Sequence, residues 1–435
     1  MDYYSTNGQS PPVSLREAVM RGLARDGGLY MPSSVPVLPQ SFFSSIDSLK
    51  FTEIAFEVAC AFLKDDVDEE IIAGIVDESL DFPVPVKKVA GNVYCLELFH
   101  GPTMAFKDVG ARFMSRLMAY LYKDESKALN VIVATSGDTG SAVAAGFHGV
   151  EGINVFVLFP RGKVSPLQQK QITTWGGNIH AVEVDGSFDD CQRLAKIMLV
   201  DRDLSSRMVL TSANSINIAR LIPQSFYYFF AYSRLKYSGR PVVFSVPSGN
   251  FGNLTAGLMA GAAGLPVHKF IASTNANDVF PKFLESGKYI PSPSLQTISN
   301  AMDVGDPSNF SRINDLMGQS IDSFRESIIS WSFGDSETEN AIKKLWSDTG
   351  YIMDPHGAVA YLGLTRYLEE SDDDVSGVFL GTAHPAKFPE TMDRIINGTL
   401  KPPPQLEGVL KREEKFHSMG IDPAEFREFI IDINL

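Results

Sequence analysis

Short runs rich in Val, Ile and Phe alternate with helix-spaced segments beyond residue 108, and no other feature constrains the fold as strongly. Val131–Ala134, Val155–Phe159, Ile179–Val184, Met208–Leu210, Val242–Val246, Lys269–Ser273 and Val375–Leu380 read as strands. Ser141–Phe147, Pro166–Trp175, Phe188–Leu199, Leu254–Ala263 and Ala358–Leu368 carry helical spacing between them. Strands dense in Val and Ile are buried on both faces, and intervening helices are the crossovers that parallel strands need. The chain is therefore expected to be α/β, with parallel sheets covered by helices.

The first hundred residues differ. Ser14–Leu23 and Phe51–Leu63 have helical apolar spacing around the proline-rich stretch Pro32–Pro39, and Pro83-Val84-Pro85 breaks the chain before residue 96. A length of 435 residues fits about two or three domains. With 52 acidic against 38 basic residues the net charge is −14, and no basic stripe offsets it. Nucleic acid and anionic membrane are thus poor partners, and an anionic substrate would need a locally built site. Three widely spaced cysteines argue against a disulfide scaffold or a cysteine-rich zinc site, and they fit a reducing compartment. Met1–Pro12 has neither the basic nor the apolar region of a signal peptide, and no apolar run reaches membrane-spanning length, so a cytoplasmic location is expected. The seven histidines are scattered and form no metal motif, so no metal is expected.

Ligands of parallel sheets bind beyond the carboxyl ends of strands, where loops lead into helices. Ala134-Thr-Ser-Gly-Asp-Thr-Gly-Ser141 is one such loop: Thr135, Ser136 and Thr139 supply hydroxyls, while Gly137 and Gly140 let main-chain N–H groups approach an anion. It reads equally as an ordinary N-cap. Val246-Pro-Ser-Gly-Asn-Phe-Gly-Asn-Leu-Thr255 is a second, suited to a phosphate held by main-chain donors, although Gly-x-x-Gly alone is often only a turn. No Gly-Lys-Ser/Thr follows it, so it is not a P-loop. In Phe379–Phe388, Thr382 can face a ligand and His384 is either a base or, more commonly for a lone histidine, a structural residue. Ser212–Arg220 clusters amides, hydroxyls and a guanidinium. Asn217 and Arg220 share a face if a helix begins near Ser215, which reads as an oxyanion clamp or as an ordinary amphipathic helix.

Lys107 follows a Gly-Pro turn and the triplet Met104-Ala-Phe106, then opens a helix-spaced run. A lysine buried at such a junction can be neutral and nucleophilic, whereas most lysines are solvated. A reactive lysine together with a separate phosphate cup is what pyridoxal phosphate requires: one holds the aldehyde carbon, the other the phosphate ester.

These stretches, with Arg21–Pro32, Leu96–Asp108, Ser212–Asn217 and Gly381–Lys387, resemble the threonine synthase family in its short bacterial form, within the tryptophan-synthase-like group of pyridoxal phosphate enzymes. The resemblance spans nearly the whole chain. It implies two parallel-sheet α/β domains with the cofactor in the cleft between them, plus an N-terminal segment. The approximate expected limits are 1–95 for that segment, 96–125 with 213–435 for the larger domain, and 126–212 for the smaller. It implies conversion of O-phospho-L-homoserine and water to L-threonine and phosphate, with no obligate protein partner. Lys107 matches the lysine that forms an imine with the cofactor. Gly249, Asn250, Phe251, Gly252 and Asn253 match the cofactor-phosphate loop, and Thr382 matches the residue facing the pyridine nitrogen. Thr135, Ser136, Gly137 and Thr139 match the substrate carboxylate loop. Asn214, Ser215, Asn217 and Arg220 are carried over as substrate-phosphate residues, and Lys163 is the next candidate for substrate binding. Asp138 is placed at the cofactor, where many relatives in the wider group have an asparagine whose amide bonds the 3′-oxygen.

Three rivals remain open from sequence. A phospholyase of the same family would release 2-oxobutyrate instead of threonine. A silent ligand-binding relative would be expected to lack the lysine or the cup, and both are present. Nucleotide-binding regulation is disfavoured by the missing P-loop and dinucleotide patterns.

Overall fold

The computed structural model describes residues 1–434 apart from 124, 126, 397, 399, 401 and 402. Two parallel sheets organise it. The larger has six strands in the order Ile328–Ser332, Lys269–Thr274, Val242–Pro247, Ser376–Gly381, Val93–Glu97 and Val86–Ala90. All neighbours are parallel except the last pair, which is antiparallel. The smaller has five parallel strands in the order His417–Met419, Ile179–Val184, Ile153–Pro160, Leu129–Ala134 and Val209–Ser212. The Val, Ile, Leu and Phe residues at the centre of these sheets are buried, as parallel strands covered on both faces must be.

The chain leaves the larger sheet through helix Lys107–Tyr122, builds four strands of the smaller one, and returns at Val242–Pro247. Two details differ from the expected limits. Val86–Ala90 and Val93–Glu97 belong to the larger sheet instead of ending a helical segment, because Val93–Glu97 pairs with Gly377–Gly381. His417–Met419 crosses back to the smaller sheet and pairs with Val182–Val184, carrying helix Pro423–Ile433 with it. The boundary expected at residue 126 falls outside the described residues.

The N-terminal segment holds a three-stranded antiparallel sheet, Asp2–Ser5, Val13–Ser14 and Tyr30–Pro32, besides helices Leu15–Arg21, Phe51–Leu63 and Glu69–Ser79. One apolar core joins these helices to both sheets, running through Val19, Ile54, Phe113, Val131, Phe226 and Phe244. Among the described residues no helix is long and apolar enough to cross a membrane.

Candidate active site

Every loop expected to meet a ligand leaves the carboxyl end of a strand, and the two sheets point those ends at one cavity of about 620 Å³. Lys107 opens helix Lys107–Tyr122 at its wall. The turn before it is zipped to the end of strand Ser376–Gly381: Phe106 donates its N–H to the Thr382 carbonyl at 2.8 Å, and His384 donates its N–H to the Met104 carbonyl at 3.1 Å. Asp108, fully buried, accepts from the Thr103 N–H at 2.9 Å and the Thr103 hydroxyl at 2.6 Å, which orients the first turn of the helix. The Lys107 side chain is partly accessible, on the cavity side. Burial lowers its ammonium from the ordinary 10.5 to about 8; Arg220 and Lys387 push the same way and Asp138 opposes them.

The cup follows strand Val242–Pro247. Phe251 takes a left-handed φ of 60°, unusual for a side chain with a Cβ, and helix Gly252–Ala262 starts directly after it with no side-chain cap. No side chain among the described residues caps this helix start, and Gly252 and Asn253 lie on the cavity lining. Asn250 is held at both ends, donating to Ser215 Oγ at 2.6 Å and accepting from the Ser308 N–H at 2.6 Å. Tyr227 and Tyr228 donate their hydroxyls to Asn253 Oδ1 at 2.6 and 2.7 Å. This fixes the amide so that Nδ2, buried and without a partner among the described residues, remains a donor. An orphaned donor, an uncapped helix start and glycines allowing close approach fit a phosphate ester.

Across the cavity, the Thr135 hydroxyl oxygen accepts from the N–H groups of Gly137 at 2.9 Å and Gly140 at 2.8 Å, and Ser136 and Thr139 join it in the lining. Asn214, Ser215, Arg220 and Lys163 also line the cavity, as do Asp138 and Thr382. Arg220 is buried; its Nη1 donates to the Ala213 carbonyl at 2.6 Å, while Nε has no partner among the described residues. Burial lowers its guanidinium to about 10, with Asp108 opposing. Arg312, fully buried behind the Ser215 turn, donates to the carbonyls of Tyr30, Ser215 and Ile216. In an acidic protein, these two buried guanidiniums concentrate positive charge near the cavity.

Two expected residues are not on its lining. Gly137 is a backbone device: at φ 141° a side chain there would stand 2.4 Å from the Gln168 carboxamide carbon. Asn217 does not share a grip with Arg220. The helix starts at Ile218, not near Ser215, so Asn217 is its N-cap and accepts from the Ala219 N–H at 3.0 Å. Its Nδ2 donates to the carbonyls of Val19 at 2.8 Å and Ser212 at 3.1 Å, which occupies the amide.

His384 is structural. Its Nδ1 accepts from the Ala386 N–H at 3.1 Å, and burial, helped by His100, lowers its imidazole to about 4. Two residues escaped the sequence reading. Lys387, wholly buried, lies 2.6 Å from Asp138 Oδ1. His356 lines the cavity, with Nδ1 2.6 Å from Asp354 Oδ2 and Nε2 accepting from the Ala301 N–H at 3.1 Å. Asp354-Pro-His-Gly357 carried a signal for the second, since Asp before Pro is a helix start; Asp354 caps helix Pro355–Glu370. Lys387 stands at the end of the Gly381–Lys387 stretch, but nothing local names its partner.

Known proteins agree with this geometry. Residues 80–381 match the family described as pyridoxal-phosphate dependent enzyme, so the chain is one of these enzymes. Residues 2–80 match the threonine synthase N terminus and 357–430 the threonine synthase C-terminal family. The chain is 41% identical over 434 residues to a threonine synthase of Serratia marcescens, with 100% of both chains covered. It superposes on the crystal structure of threonine synthase from Escherichia coli with a TM-score of 0.92 at 41% identity and 100% coverage of both. A PLP-bound threonine synthase from Brucella melitensis gives 0.93 at 34% identity, covering 100% of this chain and 99% of that one. The chain belongs to the threonine synthase family, and its activity is that of a pyridoxal-phosphate-dependent lyase of threonine biosynthesis.

Proposed function

We propose that the chain converts O-phospho-L-homoserine and water to L-threonine and phosphate, with Lys107 as the residue that carries the cofactor and moves protons. The observation that carries this reading is the placement of a lysine of lowered proton affinity and a phosphate cup with an orphaned Asn253 donor in one cavity. When bound, pyridoxal phosphate supplies an electron sink for negative charge developing on the substrate carbons. The remaining work falls to the protein.

Gly249–Asn253 and the start of helix Gly252–Ala262 hold the cofactor phosphate. Thr382, on the cavity lining, would meet the pyridine nitrogen; a hydroxyl there, unlike a carboxylate, would not favour its protonated form. Asp138, its charge already paired to Lys387, would lie at the cofactor ring. Thr135, Ser136 and Thr139 take the substrate carboxylate, with Gly137 shaping the loop. Arg220, Asn214, Ser215 and Lys163 take the substrate phosphate, and Asn217 secures the turn that presents them. Lys107 Nζ, uncharged once released, takes the proton from the substrate α-carbon and moves protons at the β-carbon. Phosphate leaves from the γ-carbon, which takes up a proton to become the methyl group; water adds its hydroxyl at the β-carbon in place of the proton lost there, and the α-carbon regains a proton. We place the enzyme in the cytoplasm, without an obligate protein partner.

The test is product analysis. Purified protein loaded with pyridoxal phosphate and given phosphohomoserine should release phosphate and threonine in equal amounts. Phosphate with 2-oxobutyrate would replace this reading with a phospholyase.

A further inference from the structure

The amine proposed to carry the cofactor must be uncharged to act, yet Asp138, Asp189, Asp303 and Asp306 all line its cavity. Of these carboxylates Asp138 is the one that favours the ammonium form of Lys107. A carboxylate free to act on a neighbouring lysine holds it as an ammonium. Here Asp138 is shared with a second cation. Lys387 Nζ lies 2.6 Å from its Oδ1, and the side chains are 0% and 4% exposed. Gln168 Nε2 donates to the same oxygen at 3.0 Å. Lys387 is anchored from the other side, donating to the Thr103 carbonyl at 2.9 Å, while Thr103 grips Asp108, the residue after Lys107. The pair is thus tied through Thr103 to the helix start that presents Lys107.

We propose that Lys387 is a positioning residue of the active centre: by closing an ion pair on Asp138, it prevents that carboxylate from fixing Lys107 as an ammonium. This rests on the role given to Lys107 under the proposed function. After burial itself, the largest charge effect on Lys107 is Asp138, which favours the ammonium, and Arg220 and Lys387 oppose it. Burial of Asp138 favours its protonated form, but Lys387 and then Lys107 outweigh it and hold the carboxyl well below the usual range.

The test follows the Lys107 amine directly. Full-length protein stripped of cofactor is acylated with acetic anhydride across a pH series, and labelling at Lys107 is read by peptide mass spectrometry. In the parent the midpoint should lie near 8. Lys387→Gln, which keeps a hydrogen-bond donor but removes the charge, should raise it by about one pH unit, and Asp138→Asn should lower it by about as much. The double variant D138N/K387Q should return close to the parent. A merely structural lysine would lower melting temperature and leave the midpoints in place, and that result would overturn the proposal. If K387Q does not fold, D138N is compared with the double variant, whose midpoint must be the higher. These midpoints are independent of turnover, so a protein that labels as expected but makes no threonine would sink the proposed function and leave the role of Lys387 standing.

Discussion

A side chain on Gly249 would place its Cβ 2.6 Å from the Cα of Met302, so the loop proposed to hold the cofactor phosphate and the turn at Asn300–Met302 meet only because Gly249 has none. Backbone on both sides cannot yield as a flexible side chain would. At Gly252 the nearest atom is Ser215 Cβ at 3.3 Å, a contact that a small shift relieves. Gly249→Ala should therefore weaken cofactor retention by roughly ten-fold or more, the scale of overpacking a tight site. Gly252→Ala should cost less than that, and Gly252→Val should approach the Gly249 variant. Dialysis against decreasing pyridoxal phosphate, followed by visible absorbance, ranks the three. Equal retention in all of them would place the cup elsewhere.

Lys107→Met should abolish turnover and the visible absorbance of covalently held cofactor while the chain stays folded. It should also stabilise the cofactor-free protein near neutral pH. The folded-state value of about 8 lies below the ordinary 10.5, so the unfolded chain binds more protons between these limits and the lysine burdens the fold most below pH 8. The advantage of the methionine variant should then shrink as pH rises from 8 towards 10.5. Thermal melts at stepped pH check the sign, and a constant advantage across the series would contradict the lowered proton affinity.

Asn253 is held by two tyrosine hydroxyls with its Nδ2 left over. Asn253→Ala should weaken cofactor binding by roughly ten- to hundred-fold, the worth of one hydrogen bond to a charged group. Asn253→Asp should be worse, since it replaces the donor with a negative charge facing the phosphate. Tyr227→Phe should do less, because Tyr228 still orients the amide. Fluorescence titration with pyridoxal phosphate distinguishes the order.

Arg220→Ala should raise the phosphohomoserine KM by roughly ten- to hundred-fold, as expected for losing a charge-assisted contact, and leave cofactor absorbance unchanged. Arg220→Lys should recover part of this, because the planar fork is lost. Asn217→Ala should lower the melting temperature and alter KM little, since its amide secures a helix start and the Val19 carbonyl. Normal KM in Arg220→Ala would move the phosphate site towards Lys163.

Most of the parallel strands were legible because an apolar run between glycine or proline breaks is a local property. Ile179–Val184 and helix Phe51–Leu63 appear with the residues their spacing indicates. Ile328–Ser332 and His417–Met419 were not legible: half-exposed strands containing serine and histidine are recruited by a neighbour, not by their own pattern. Val86–Ala90 is similar, an edge strand with two exposed lysines.

The chemistry divides the same way. Lys107 behind its apolar triplet, the glycines after Pro247 and the hydroxyls after Ala134, which line one cavity, could each be picked out within a few residues, because a loop between strand and helix is a local construction. The partners of those groups do not. Whether Asn217 faces a ligand or caps its own helix depended on where that helix began, and Asn217 is also drawn to Val19 in the N-terminal segment. The pairing of Asp138 with Lys387 joins a loop of the smaller sheet to one following the last strand of the larger. Local periodicity determines which faces are buried. Which charges are buried together is decided only where the carboxyl ends of the two sheets converge, because a charge removed from water must find its partner in space.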